Sequence, residues 1–254
     1  MSRKQNKKNA KKAVINFIIY LLLFSLLIFS GFKICMWYID NKNNKKITEQ
    51  ISEAVLVQEN KPEEEKYNID FDKLKEQNEN VIAWIKVEDT DIEYPIVQTK
   101  DNEYYLTHSF DKSQNDAGWI FADYRNKFDG TDKNIVIYGH NRKDGSMFST
   151  LHNFLDEKWL NSDRKVKIIF ITEKKTEIYE VFSVYEIKKE NYYINTSFQN
   201  DNQFKNFLDT IQKRSKKEFN VEVSKEDTIL TLSTCSDKRG YRVVTHARKV
   251  KGEN

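Results

Sequence analysis

The chain has 254 residues, with 42 Lys and Arg against 39 Asp and Glu, and it contains two Cys, two Pro and seven Gly. This composition excludes a disulfide framework, an all-cysteine zinc site, and collagen-like or Pro/Gly-rich chains. An aromatic content of 13% is enough to fill a core, so the chain is not a disordered acidic tail. Six basic residues lie within residues 1–12, so the remainder is slightly acidic and has no general electrostatic reason to bind nucleic acid.

An apolar segment without charged residues covers residues 13–32. At about 1.5 Å per helical residue, it would span the ~30 Å hydrocarbon core of a bilayer. Trp37 and Tyr38 suit the membrane interface, and the preceding basic residues predict a cytoplasmic N-terminus. We therefore predict a cytoplasmic basic tail at 1–12 and one transmembrane anchor at 13–38, with the rest outside the cell. A cleaved signal peptide and a buried core helix are the alternatives, but the length and the flanking charges argue against them.

The remainder divides into a short polar segment and a folded domain. Residues 39–66 are rich in Asn, Lys and Glu, and Ile47, Ile51 and Val55 recur every four residues, which predicts a stalk with a surface helix. The domain is predicted over 67–254 and opens with a short helix capped by Asp70. Strands are predicted at 81–87, 92–98, 119–122, 134–138, 165–171, 177–186, 228–235 and 241–250.

Two helical patterns interrupt these strands. Apolar residues at helical spacing run from Met147 to Leu155, and an amphipathic stripe predicts a helix over 201–218. In the simplest interpretation both helices pack against the sheet. Many short strands with few helices favour a mainly β fold, namely a closed or nearly closed barrel with helical decorations.

The last two predicted strands form an antiparallel hairpin around a polar turn that ends at Gly240. If the register places Cys235 opposite Arg242, their Cα atoms lie about 4.5–5.5 Å apart. A cation beside a thiol favours the nucleophilic thiolate, and a guanidinium can also donate hydrogen bonds to a developing oxyanion. A small buried thiol is the alternative interpretation of Cys235, but its position at an Arg-bearing hairpin favours a nucleophile.

A cysteine nucleophile needs a proton donor for the leaving group, and histidine is the usual one. His140 follows an apolar run and lies where a predicted strand opens into a loop, a common place for catalytic residues. His246 lies roughly 13 Å along the strand from Arg242, away from the turn. His108 and His152 are interpreted as surface or hydrogen-bonded core residues. No histidine pair has a familiar zinc spacing, so neither a metal site nor a cofactor is predicted.

Several motifs together resemble the signature of sortases, the cysteine transpeptidases of Gram-positive cell surfaces. They are Leu-Ser-Thr-Cys at 232–235, Tyr-Gly-His at 138–140, and an Arg directly before Val243-Val244. The run Phe-Ala-Asp-Tyr-Arg-Asn at 121–126 and the predicted helix at 201–218 are similar to the class B branch. The resemblance extends from about residue 67 to the C-terminus, so 67–254 is predicted to be a sortase-like catalytic domain.

The resemblance implies an eight-stranded β-barrel, with N-terminal helices and a helix before the penultimate strand, preceded by the transmembrane helix. It also implies that Cys235 is the nucleophile, His140 the general acid/base and Arg242 the oxyanion or substrate-positioning group. Arg239 is the alternative arginine, because the separation of Cys235 and Arg242 is shorter than in some relatives. The implied groove for a sorting peptide is lined by Ser233, Tyr138, Leu106, Asn102, Tyr193 and Ile194.

The implied reaction is cleavage of a C-terminal sorting motif of secreted proteins after Thr, through a thioacyl-enzyme, and transfer to a peptidoglycan amine. The partners would then be the sorting-motif peptide, the cross-bridge or lipid-precursor amine, and the membrane through the N-terminal helix, with no nucleic acid. The location would be the cell membrane, single-pass, with the catalytic domain extracellular. A membrane-tethered cysteine peptidase that only hydrolyses, and a non-catalytic surface binding domain, are the alternatives.

Overall fold

The computed structural model describes residues 2–156, 158–159, 165–236 and 238–250. The outermost positions of the predicted segments 1–12 and 67–254, namely Met1 and residues 251–254, lie outside these ranges. The described chain divides into two compact units, one up to Lys45 and one from Lys46 onward.

The N-terminal unit consists of the first part of a long helix, α1 (Ser2–Ser52). Within the described residues, this is the one helix that is long and apolar enough to cross a membrane, and its apolar window is fully exposed. A signal sequence would pass the same test of length and composition.

The end of α1 belongs to the second unit and differs from the predicted stalk helix. Ile47 and Ile51 are buried, as their spacing predicts. The helix stops at Ser52, however, and Val55 begins strand β1 (Val55–Val57), which pairs with β2 (Tyr67–Ile69) on either side of the short helix α2 (Glu63–Lys66). Helix α3 (Phe71–Gln77) follows, and the Asp70 side chain accepts a hydrogen bond from the backbone N–H of Lys73 as the predicted N-cap.

Eight strands form a closed barrel, which confirms the predicted fold class. In chain order they are β3 (Val81–Val87), β4 (Glu93–Val97), β5 (Phe121–Ala122), β6 (Asn134–Tyr138), β7 (Lys167–Ile171), β8 (Thr176–Lys188), β9 (Ile229–Cys235) and β10 (Tyr241–Lys249). Their order around the barrel is β10-β8-β7-β3-β4-β5-β6-β9. Most neighbours are antiparallel, but two pairs are parallel, namely β4 with β5 and β6 with β9. The carboxyl ends of β6 and β9 therefore lie at the same end of the barrel.

The predicted strand at 119–122 is shorter in the structure, because only Phe121 and Ala122 pair. Gly118 adopts a left-handed φ of +59° just ahead of it, which breaks the extended backbone. Trp119 instead enters the core and donates a hydrogen bond from its indole to the Pro95 carbonyl.

The helices between the strands also differ in detail from the prediction. Residues Ser149–Leu155 form a 3-10 helix rather than an α-helix, and Met147 has a φ of +58°, which excludes it from the helix. Helix α4 (Asp201–Arg214) lies before the penultimate strand as predicted but ends four residues early. There Ser215 accepts a hydrogen bond from the Val184 N–H, and this contact draws the chain onto β8.

Two hydrophobic clusters stabilise the barrel. The larger one fills the barrel interior and includes Ile47 and Ile51 from the end of α1 and Phe71 and Leu74 from α3. The smaller one lies outside the barrel, where the buried face of α4 packs on β8 and β10 through Phe204, Phe207, Leu208 and Ile211. The apolar residues whose spacing predicts helix α4 are therefore the same residues that pack it against the barrel.

Candidate active site

The carboxyl ends of β6 and β9 open into a groove of about 260 Å³. Every residue predicted for the site lines this one groove: Cys235, His140, Arg242, Ser233, Tyr138, Leu106, Asn102, Tyr193 and Ile194. The fold thus brings together residues that are separated by more than a hundred positions in the chain.

The hairpin register places the thiol beside the guanidinium. Cys235 pairs directly with Arg242 in the β9–β10 ladder, as predicted, and both side chains are half-buried. Arg242 donates a hydrogen bond to the Tyr241 carbonyl and also lines the groove. Arg239, the alternative arginine, lies exposed in the turn and does not line the groove.

The imidazole of His140 lies two residues beyond the end of β6 and is held by backbone. Its Nε2 is 2.8 Å from the Leu106 carbonyl oxygen. Because a carbonyl can only accept, Nε2 carries the proton and Nδ1 is the basic nitrogen. The backbone N–H of Phe148 also donates to the His140 carbonyl, so the residue is fixed on both its ring and its main chain.

Gly118 is required for this placement of the ring. A Cβ atom at residue 118 would lie 2.7 Å from Cδ2 of His140 and 2.6 Å from the Tyr105 carbonyl oxygen. The left-handed φ of Gly118 and the close approach of the imidazole therefore both favour glycine.

Burial lowers the pKa of His140, because the protonated ring loses hydration. The hydrogen bond to the Leu106 carbonyl acts against this shift, whereas the positive charges of Arg142 and Arg242 add to it and Asp116 opposes it. The shift favours the neutral imidazole, whose Nδ1 can accept a proton.

The groove walls carry the remaining predicted residues. Ser233 shares a face of β9 with Cys235, and its hydroxyl lies 3.2 Å from that of Tyr193. Tyr193 and Ile194 lie on a 3-10 helix, Tyr192–Ile194, between β8 and α4. Leu106 is 41% exposed at the rim, so an apolar side chain faces the open groove.

The other histidines lie elsewhere. His246 is completely buried behind the strands, where Nδ1 contacts the Thr231 hydroxyl and Nε2 contacts the Tyr185 hydroxyl, each at 2.8 Å. Burial lowers its pKa to about 3. His108 stacks on Tyr104, and His152 contacts the Ser149 carbonyl. In the part of the chain that the structure describes, none of these three lines the groove.

Sequence reasoning missed six groove residues: Phe121, Gly139, Lys189, Glu190, Asn191 and Thr234. Phe121, Gly139 and Thr234 belong to the motifs at 121–126, 138–140 and 232–235 and could have been found there. Residues 189–191 carry no pattern, because they line the groove only through the path of the loop after β8. Within the described ranges, no group of three His, Cys, Asp or Glu side chains is placed to hold a metal ion.

A cysteine, an arginine and a histidine that line one groove of a barrel supply the groups that thiol-dependent acyl transfer needs. The sortase domain family model matches residues 85–250. Sortase B of Listeria monocytogenes is 38% identical over 225 residues, covering 87% of this chain and 89% of that protein. Sortase B of Staphylococcus aureus is 32% identical over 239 residues, covering 92% and 96%.

Solved structures agree with these sequence relatives. Sortase B from Bacillus anthracis in complex with AAEK1 superposes with a TM-score of 0.71 at 38% identity, covering 85% of this chain and all of that chain. The chain therefore belongs to the sortase family, in its class B branch. It is a cysteine transpeptidase of the cell-wall sorting type.

Proposed function

We propose that Cys235, His140 and Arg242 carry out a two-step acyl transfer on the sorting motif of a secreted protein. The Cys235 thiolate attacks the carbonyl carbon of the motif's threonine, and Arg242 donates hydrogen bonds to the resulting oxyanion. The C–N bond then breaks, the departing amine takes a proton from His140, and a thioacyl-enzyme remains. The direct pairing of Cys235 with Arg242 in the groove that His140 lines is the observation that carries this proposal.

The tautomer of His140 decides which nitrogen exchanges protons. Nε2–H is engaged by the Leu106 carbonyl, so Nδ1 accepts the thiol proton and delivers it to the leaving amine. In the second step the amine of a peptidoglycan cross-bridge or lipid precursor attacks the thioester and gives up a proton to Nδ1. The thiol is then regenerated as the new amide forms.

We further propose that residues 1–12 are a cytoplasmic tail, that 13–38 anchor the chain in the membrane, that 39–66 form a stalk whose end, from Lys46, belongs to the second compact unit, and that 67–254 act outside the cell. The exposed apolar window of α1 supports this arrangement. An anchor would hold the groove where both substrates emerge, which raises their effective concentration. A domain that merely binds would not need a thiol, a guanidinium and an imidazole that line one groove.

The full chain in detergent should be incubated with a library of threonine-containing sorting peptides, with and without an oligoglycine or diaminopimelate-type amine. Mass spectrometry is expected to find an acyl adduct on Cys235 and a product that carries the amine. Cys235→Ala should lower turnover by more than about 10³-fold. Cys35→Ala is the matched control, because Cys35 lies exposed on α1 and should leave turnover unchanged.

The alternatives give different results in the same experiment. Release of free acid alone, even with the amine present, would mean that the chain is a tethered peptidase. No adduct on Cys235 with any peptide, and no effect of alkylating it, would mean that it is a non-catalytic binding domain.

A further inference from the structure

A buried carboxylate that the proposed mechanism does not use lies beneath the groove. Asp123 follows β5 and is completely buried. It accepts two hydrogen bonds from the Arg125 guanidinium, from Nε to Oδ1 at 2.8 Å and from Nη2 to Oδ2 at 2.7 Å. Arg125 covers it from the solvent side, with 36% of its side chain exposed. We call this ion pair the Asp123–Arg125 clamp.

Two predicted groove residues are attached directly to the clamp. The Tyr138 hydroxyl donates to Oδ2 of Asp123 at 2.8 Å, and the Asn102 amide donates to the same oxygen at 3.0 Å. The Asn102 carbonyl oxygen in turn accepts from the backbone N–H of Tyr124 at 3.0 Å. The end of β6 and the loop after β4 are therefore joined through one carboxylate.

The clamp also reaches a third part of the groove wall. Nη2 of Arg125 donates to the Ile194 carbonyl at 2.8 Å, while Asn134, which is also buried, donates to the carbonyls of Tyr193 and Asn195 at 3.2 and 2.8 Å. The side chains of Arg125 and Asn134 thus hold three consecutive carbonyls of one turn, those of residues 193–195. A guanidinium can bind a carboxylate and a carbonyl at once because its donors point in a fixed fork, which an ammonium lacks.

The catalytic residues have separate supports. Cys235 and Arg242 are positioned by the β9–β10 ladder, and His140 is positioned by Leu106 and Gly118. No hydrogen bond described above for the clamp involves these three catalytic residues. Disturbing the clamp would therefore move recognition surfaces without moving the reacting atoms.

We propose that the Asp123–Arg125 clamp is a positioning element that sets the affinity of the groove for the sorting peptide, by holding Asn102, Tyr138 and Ile194 in one arrangement. This inference rests on the proposed function, because it assigns those residues to the peptide groove. It concerns peptide binding and leaves the chemical step to Cys235, His140 and Arg242.

The test compares Asp123→Asn and Arg125→Lys with the wild-type full chain, using the peptide that the library captures most on Cys235. Both variants should raise KM by about 10- to 100-fold, because the recognition surfaces lose their common attachment. Arg125→Lys keeps the charge but loses the fork, so it should not rescue KM. Their kcat, and the rate at which iodoacetamide alkylates Cys235, should stay within about threefold.

Glu177→Gln is the matched control for general destabilisation. Glu177 is also a buried carboxylate with two cationic partners, Lys175 and Lys249. It lies at the start of β8, eleven residues from the Lys188 end that pairs with Tyr241. Glu177→Gln should lower the melting temperature but leave KM unchanged. If Asp123→Asn does not fold, Tyr138→Phe removes a single clamp contact and should raise KM by about 3- to 10-fold.

The outcomes separate the two proposals. Folded clamp variants with wild-type KM would overturn the positioning role. A parallel fall in kcat and in Cys235 alkylation would also overturn it, because the clamp would then support the catalytic residues. If the wild-type chain forms no adduct on Cys235 with any peptide, the proposed function fails instead.

Discussion

The two walls of the groove are built differently. One wall is made of regular strands, where Tyr138, Ser233, Cys235 and Arg242 occupy positions set by the β6, β9 and β10 ladders. The other wall is made of irregular segments that carry Asn102, Leu106, Tyr193 and Ile194. The strand wall carries the thiol and the guanidinium, and the loop wall carries most of the predicted recognition surface.

Because of this difference, the two walls should respond differently to the substitution of a single side chain. A ladder distributes its backbone hydrogen bonds over many residues, so no single side chain determines the position of Cys235. An irregular turn has no ladder, so its geometry depends on a few side chains such as Arg125 and Asn134. Recognition should therefore be more sensitive to remote substitutions than the chemical step is.

Arg242→Gln tests the strand wall and should have the largest effect. Loss of the guanidinium removes a charged donor from the developing oxyanion, so kcat should fall by about 10²- to 10³-fold. Arg239→Gln is the matched control on the same hairpin and should change kcat by less than about threefold, since Arg239 is exposed outside the groove. Steady-state transfer kinetics measure kcat for both variants. Equal losses of kcat would mean that pairing with Cys235 does not distinguish the role of Arg242 from that of Arg239.

Gly118→Ala tests the irregular segment that supports His140. The new Cβ would approach the imidazole to 2.7 Å, so the ring must move, and kcat should fall by about 10- to 100-fold. Gly145→Ala is the control, because Gly145 also has a left-handed φ, of +83°, but a Cβ added there would meet no heavy atom of the described chain within 4 Å. Similar losses in the two variants would show that backbone strain, rather than the contact with His140, lowers activity.

His246→Gln tests the interior behind the strand wall and should have the smallest effect on catalysis. At pH 7 kcat should be unchanged, while the free energy of unfolding should fall by about 1–3 kcal/mol, because the bonds to Thr231 and Tyr185 are disturbed. Urea unfolding and transfer kinetics measure these two quantities. A large fall in kcat would show that this interior site communicates with the groove.

The pH dependence of the same variant has a definite sign. His246 has a pKa of about 3 when folded and an ordinary value near 6.5 when unfolded. Its contribution to stability is therefore full above pH 6.5 and is lost as the pH falls toward 3, at up to about 1.4 kcal/mol per pH unit. The Gln variant lacks this group, so its stability should decline less steeply over that interval than that of the wild type.

Much of the strand wall could be predicted from the sequence. Strands 81–87 and 134–138 match their predicted bounds, and the Cys235–Arg242 pairing follows from a short hairpin with a Gly-ending turn. Alternation along β9 also places Ser233 with Cys235. These predictions succeed because pattern, propensity and ladder geometry are local properties of the chain.

The loop wall could be predicted only through family resemblance. Nothing in residues 121–126 indicates that Asp123 would contact Asn102, Tyr138 and Arg125 together, because those contacts depend on the path of separate loops. The Leu106 carbonyl that selects the tautomer of His140 is likewise a backbone atom, which no residue pattern specifies. The strand at Phe121 is shorter than predicted because Gly118 precedes it with a left-handed φ. The role of Gly118 depends on its contact with the ring of His140, which is distant in the sequence.

Closure of the barrel has a consequence for behaviour at a crowded surface. Each of the eight strands has a neighbour on both sides, so the described barrel presents no unpaired edge to another molecule. If the proposed anchor concentrates the enzyme on a membrane, copies of it will meet often, and edge-to-edge pairing between copies is a common route to aggregation. Here the architecture itself suppresses that route. The small β1–β2 ribbon differs, because it has only two strands and so retains unpaired edges, and its Leu56 is 62% exposed.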